Sequence, residues 1–230
     1  MKTKKLLVVN SIHSITSAQI FNNQLERIYS KLKPMINTIT PREKFDPVFT
    51  NKHTHLLISG SELRASRSYE KDDFFYSLIN HFLQAEKPIL AICHGHQMLA
   101  KSITDSQVCR QASRPEFGWQ DIQIESNYLF KGITNPVFME SHFDEVFSLP
   151  PSFNIIAHNN NCPIQAFQYR NNACWGLQFH PEVNLQESEI MLKQISRNYP
   201  ELETNINWKM PKSGLIFQNY KIFENFLNAG

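Results

Sequence analysis

Residues 88–97 read Pro88-Ile89-Leu90-Ala91-Ile92-Cys93-His94-Gly95-His96-Gln97, and the fold turns on this run. The apolar residues after the proline read as a strand buried on both faces, and a helical pattern follows through about residue 103. Cys93 therefore stands where a strand turns at once into a helix. Such an elbow needs small neighbours because the strand and helix backbones nearly touch, and Ala91 and Gly95 supply them. The pattern A-x-C-x-G is the thiol counterpart of a serine-hydrolase elbow, and the positive end of the helix dipole favours a thiolate there. A cysteine at a strand end, taken by itself, reads more readily as an inert core residue.

On either side of this run, short apolar stretches alternate with segments of helical period, the signature of an α/β domain with a mainly parallel sheet flanked by helices. Residues 6–9, 35–39 and 55–58 read as strands, the last ending in Ser59-Gly60-Ser61. Residues 17–32 read as a helix with Ile20, Phe21, Leu25, Ile28 and Leu32 on one face, and residues 69–86 as a second. Beyond the elbow, residues 119–124, 137–139, 153–157, 164–169 and 174–179 are strand-like, and a helix is expected over 185–195. A polar stretch over 198–214 leads to a final amphipathic helix through Ile216, Tyr220, Phe223 and Leu227, either core-facing or a docking surface. No internal repeat is evident, and one domain is expected.

Composition narrows the function. Apolar residues make up 41% and charged residues 19% of 230 residues, with 17 Phe, which suits a folded globular chain. A formal net charge of +2 lacks the basic footprint of a nucleic-acid binder, so no nucleic-acid partner is expected. No apolar run approaches a membrane span or a signal-peptide core, so no membrane partner is expected either. Cys93, Cys109, Cys162 and Cys174 show no paired spacing, which favours reduced thiols in a cytoplasmic protein.

A second segment, His180-Pro181-Glu182, comes straight off the last strand. Residues i and i+2 of an extended chain point the same way, and proline keeps its predecessor out of the helical region. A carboxylate beside the imidazole would fix its tautomer and stabilise its protonated form. Alone, the tripeptide reads as a surface turn. Paired with an elbow cysteine 87 residues earlier, it suggests a Cys-His-Glu constellation.

Ile92-Cys93-His94-Gly95-His96-Gln97 and Gly176-Leu177-Gln178-Phe179-His180-Pro181-Glu182 resemble the two signature segments of class I, triad-type glutamine amidotransferases, most of all the glutaminase domain of GMP synthetase. Glu116-Phe117-Gly118 and Ser141-His142-Phe143-Asp144-Glu145-Val146 carry the resemblance further. It implies a flavodoxin-like single domain over 1–197, with 198–230 an extension whose helix packs on the same body. It also implies Cys93, His180 and Glu182 as the catalytic triad acting on L-glutamine or another γ-glutamyl compound, with no cofactor. Backbone N–H groups of His94 and of the Gly60-Ser61 loop would hold the oxyanion. Gln97 and the segment Ser141-His142-Phe143, chiefly its backbone, would hold glutamine. His142 and Asp144 remain either partner-contacting and structural or an acid–base pair. The family usually has Gly-Gly-Pro or Asn-Gly-Pro where this chain has Gly60-Ser61-Glu62, and often glycine at Ala91. No metal is expected, because His94-x-His96 lacks further ligands. The chain shows no phosphate-binding or ATP-pyrophosphatase motif, so a separate ATP-using synthetase subunit would take the ammonia. The rival readings are a γ-glutamyl peptidase with the same triad and a catalytically idle regulatory domain.

Overall fold

The computed structural model describes residues 3–41 and 44–230. In chain order the first elements are β1 (Lys5–Val9), α1 (Ile15–Ile28), β2 (Met35–Ile39), α2 (Pro47–Asn51), β3 (His55–Ile58), α3 (Asp72–Gln84), β4 (Ile89–Ile92) and α4 (His94–Thr104). There follow β5 (Cys109–Asp121), β6 (Gln123–Ile124), β7 (Val137–Val146), β8 (Phe153–His158), β9 (Ala166–Tyr169) and β10 (Cys174–Leu177). The chain closes with α5 (Leu185–Asn198), β11 (Ile206–Asn207), α6 (Ser213–Ile216) and α7 (Lys221–Asn228).

The main sheet runs in the order β2-β1-β3-β4-β10-β9-β8-β6. Its first five strands pair in parallel, and the last three add an antiparallel edge. This is the mainly parallel α/β sheet expected. Alternate strand residues feed cores on opposite faces, as the pleat requires. Leu6, Val8, Leu57, Leu90 and Ile92 meet Phe21 and Leu25 of α1 together with Ile222, Phe223, Phe226 and Leu227 of α7. Leu7, Val9, Leu56, Ile58 and Ala91 meet Phe75, Leu78, Ile79 and Phe82 of α3 and Met98 and Leu99 of α4. Each such large side chain contributes about 1.5–3 kcal/mol by leaving water, so α7 is part of the core.

Several elements differ from the sequence expectation. α1 ends at Ile28, Ile20 and Leu32 are exposed, and Tyr29 takes the core position, its ring edge-on to Phe223 at 6.1 Å. The last parallel strand stops at Leu177 instead of 179. The final helix begins only at Lys221, because residues 213–220 form a short helix and a 3-10 turn. The largest difference is β5 and β7, both far longer than the short strands expected. They pair with each other, with β11 beside β5, in a second three-stranded sheet. Pro115 and the register shift between Gln111 and Glu116 break the alternation that would have revealed β5. No described helix is long and apolar enough to cross a membrane.

Candidate active site

Strand order positions the site. β3, β4 and β10 are parallel neighbours, so their carboxyl ends share one edge and deliver Gly60, Cys93 and His180 to it. At the end of β4, Cys93 adopts φ 51° and ψ −109°, a left-handed conformation that costs a residue with a Cβ about 1–3 kcal/mol. The surroundings hold it there. Its N–H donates to Leu177 O of β10 at 2.7 Å, and its carbonyl accepts from Gln97 N at 3.1 Å in the first turn of α4. A Cβ on Gly95 would lie 2.8 Å from Ile58 O and 3.0 Å from Ser59 O, so α4 approaches the end of β3 as closely as the elbow reading required.

His180 stands three residues past β10, and its N–H donates to Met139 O of β7 at 2.8 Å, which ties the second sheet to the site. Phe179 anchors the segment by stacking on Phe138 at 4.0 Å. The Nδ1 of His180 meets Glu182 Oε1 at 2.7 Å, and the Cys93 thiol lies within hydrogen-bonding reach of the same ring. Burial works to neutralise His180, but Glu182 and Cys93 outweigh it and hold the imidazole well above its usual range. Gly60 fits between the two groups. A Cβ there would come 3.1 Å from His180 Cε1 and 3.5 Å from the Cys93 Cβ. The three residues singled out in the sequence thus converge at one edge of the sheet.

The other expected residues divide. Ser61 is not in the left-handed region, so serine fits where the family has glycine. Its hydroxyl donates to Ser11 O at 2.9 Å, while Ser11 and Ser59 hydroxyls both donate to Gly60 O. Among the described residues no hydrogen bond takes up the N–H of Ser61 or His94. The His94 ring is buried edge-on to Phe75 at 5.9 Å, and His96 packs on Phe167 at 4.7 Å. Burial lowers their pKa values to about 4 and about 3, so both rings sit neutral within the core.

Gln97 is buried, its amide donating to Asp144 O at 2.8 Å and to Gln178 Oε1 at 3.0 Å. Along β7, Ser141 and Phe143 are half-exposed while His142 and Asp144 are buried. Ser141 O lies 3.8 Å from Cys93 Sγ. Phe143 sits beneath the Arg64 guanidinium at 4.1 Å and against Tyr199. His142 lies on the buried side of the strand: Nε2 meets Glu116 Oε2 at 3.2 Å and Nδ1 meets the backbone carbonyl of Asp144 at 3.1 Å. The Asp144 carboxylate instead pairs with Arg64 at 3.0 Å and accepts from Ser66 N. His142 and Asp144 are therefore no acid–base pair, and His142 does not reach the opening.

Gln178 was missed. Its amide donates to Cys93 Sγ at 3.6 Å. It precedes His180 by two residues, so the same spacing that aligns His180 with Glu182 could have revealed it. Glu116, His142 and Cys162 offer donor atoms within 4.8 Å of one another. However, Glu116 already accepts from Asn159, Asn161, Gln165 and His142, which occupies its lone pairs. The cluster reads as a buried carboxylate satisfied by hydrogen bonds rather than as a metal centre.

Comparison with known proteins agrees with this geometry. The family profile described as "Glutamine amidotransferase class-I" matches residues 10–196. A Pyrococcus furiosus protein named as a glutamine-hydrolyzing GMP synthase subunit is 39% identical over 108 residues, 46% of this chain and 56% of that one. The same-named protein of Pyrococcus abyssi is 33% identical over 147 residues, 63% of this chain and 77% of that one. The match thus spans little more than half of the first relative's length. A crystal structure of a glutamine amidotransferase from Thermotoga maritima superposes with a TM-score of 0.77 at 20% identity, covering 100% of both chains, and shows the shared fold. With the profile covering most of its length, and the elbow cysteine and His-Pro-Glu segment inside that match, this chain belongs to the class I glutamine amidotransferase family.

Proposed function

We propose that the chain is a glutaminase, which hydrolyses the side-chain amide of L-glutamine to glutamate and ammonia through a γ-glutamyl thioester on Cys93. The observation that carries this reading is the convergence of Cys93, His180 and Glu182, with Gly60 filling the space between sulfur and ring. The Cys93 thiolate attacks the amide carbon, and the C–N bond breaks as His180 gives its proton to departing ammonia. Water then attacks the thioester, His180 takes the water's proton, and glutamate leaves with the thiol restored. Glu182, bonded to Nδ1, holds the ring's tautomer and offsets its charge. The free N–H groups of His94 and Ser61 suit the oxyanion of both tetrahedral intermediates. Half-exposed Ser141 and Phe143 suit a role in holding glutamine, with Gln97 and Gln178 bracing the sulfur from behind.

A separate ATP-using synthetase subunit is the proposed recipient of the ammonia, in keeping with relatives named as one subunit of GMP synthase. Residues 1–197 form the amidotransferase domain in this reading, with 198–230 an extension of the same body. The four free, buried cysteines suit a reducing, cytoplasmic setting.

Ammonia release from glutamine tests the proposal, measured with and without a nucleotide-activating partner. Cys93→Ala is expected to abolish release while glutamine binding and thermal stability stay near wild type. Wild-type turnover in that variant would refute it. Little release from glutamine beside rapid cleavage of γ-glutamyl peptides would move the substrate to the peptide class.

A further inference from the structure

Behind the site lies a carboxyl group that the mechanism does not use. Glu140 of β7 is completely buried, between Met139, whose carbonyl binds the His180 N–H, and Ser141, whose carbonyl lies 3.8 Å from the Cys93 sulfur. The titratable groups facing it come from every element packed there: Glu116 of β5, His142 of its own strand, Cys93 of the elbow, His180 after β10, and Cys162 ahead of β9. Two carboxyls thus share one buried pocket, and their surroundings treat them differently. Glu116 takes every donor: Asn159 at 2.8 Å, Gln165 at 2.9 Å, and Asn161 and His142 at 3.2 Å. Glu140 Oε2 stays 3.6 Å from His142 Nε2, and neither of its oxygens finds a hydrogen-bond donor.

The neighbouring amide sharpens the contrast. Gln165 also lies near Glu140, but its amide donates to Glu116 at 2.9 Å, and its own Oε1 is buried without a donor. The two Glu140 oxygens and Gln165 Oε1 are thus buried acceptors without a donor, at a cost of about 1–3 kcal/mol per unsatisfied group. A proton on Glu140 removes the buried charge that no donor meets. We propose that Glu140 is a positioning residue, a carboxylic acid kept protonated behind the Cys93–His180 pair, whose ionisation in alkaline solution disables that pair. The direction of the electrostatics agrees: burial first, then the Glu116 charge, hold Glu140 well above the usual carboxylate range. Burial also pushes Glu116 upward, but its hydrogen bonds, led by that from His142, leave it below the usual value. Pairs of carboxyls driven apart in this way mark a division of roles. A negative charge on Glu140 would oppose the Cys93 thiolate and hold His180 protonated, so it could not accept a proton from water.

The role rests on Cys93 and His180 acting as proposed above, but its test needs no glutamine turnover. A difference infrared spectrum between wild type and Glu140→Gln at neutral pH is expected to contain the carbonyl stretch of a protonated carboxylic acid. Absence of that band overturns the proposal. Alkylation of Cys93 by iodoacetamide, with Cys93→Ala as blank, gives the second readout. The ratio of the Glu140→Gln rate to the wild-type rate is expected to rise about fivefold between neutral and alkaline pH, because only wild type acquires the charge. Glu140→Met, equally unable to ionise, is expected to show the same rise. A ratio that stays flat with pH for both variants would show that the side chain only fills space, and would overturn the proposal even if glutaminase activity stands.

Discussion

Gly60 offers a sharp test of how tightly the site is built, because the room around it, rather than its backbone angles, calls for glycine. It is absent from the positive-φ residues, so alanine meets no backbone strain there. A methyl group would instead stand 3.1 Å from His180 Cε1 and 3.5 Å from the Cys93 Cβ. Carbon contacts settle at about 3.5–4.0 Å, so the imidazole would have to retreat by about half an ångström. It is held by its 2.7 Å bond to Glu182 and, through the backbone, by the 2.8 Å bond to Met139 O. A misplacement of about 1 Å between reacting groups can cost about 10²-fold, so half of that predicts a fall of about tenfold in kcat/KM, or about 1.4 kcal/mol. Folding is expected to change little, since the lost chain freedom of alanine in the unfolded state favours the native state by about 0.4–1 kcal/mol. The assay is glutamine hydrolysis paired with a thermal melt. Gly214→Ala, where no atom lies within 4 Å of the added carbon, serves as the silent control. Wild-type kcat/KM in Gly60→Ala would refute the contact argument, and an unfolded protein would make Gly60 a folding residue instead.

Two further outcomes follow from the site and its support. His94 and His96 are neutral in the fold, with values lowered to about 4 and about 3, whereas in the unfolded chain they gain protons below about 6.5. Their contribution is therefore complete above about pH 6.5 and is lost as pH falls toward those folded values, by about 2 kcal/mol each at about pH 5. Urea unfolding at neutral and mildly acid pH measures this, and His96→Gln, which cannot titrate, should shrink the acid loss; an undiminished loss would remove His96 from the account. Within the proposed triad, His180→Ala should cost about tenfold to hundredfold more activity than Glu182→Gln, because orienting the base contributes less than the base itself. Equal losses in kcat would show that the Glu182 charge is indispensable.

Features governed by local geometry were legible in the chain. The elbow follows from four apolar residues, a cysteine and a glycine within a few positions, and the alignment of His180 with Glu182 from the spacing of an extended segment. The helix after that segment starts where Asn184 and Glu187 form a capping box, another local signal. β5 and β7 were less legible because they bury charge. Glu116, Glu140, His142, Asp144 and Glu145 are all inside, each next to groups distant in sequence, so hydrophobic alternation does not report them. The end of α1 was misplaced for a related reason: Leu32 matched the helical period, but only packing against α7 favoured Tyr29.

By itself the sequence determined the α/β class and the chemical kind of the groups at the site, since strand runs, helix period and the elbow are properties of neighbouring residues. Only the tertiary structure decided that Gly60, Cys93 and His180 meet, because that depends on β3, β4 and β10 lying side by side in parallel. It also decided which of two buried carboxyls receives the hydrogen bonds, because the donors come from Asn159, Asn161 and Gln165, more than forty residues along the chain from Glu116. Hydrogen bonding and Coulomb forces act through space, and chain order does not record distance in the folded state.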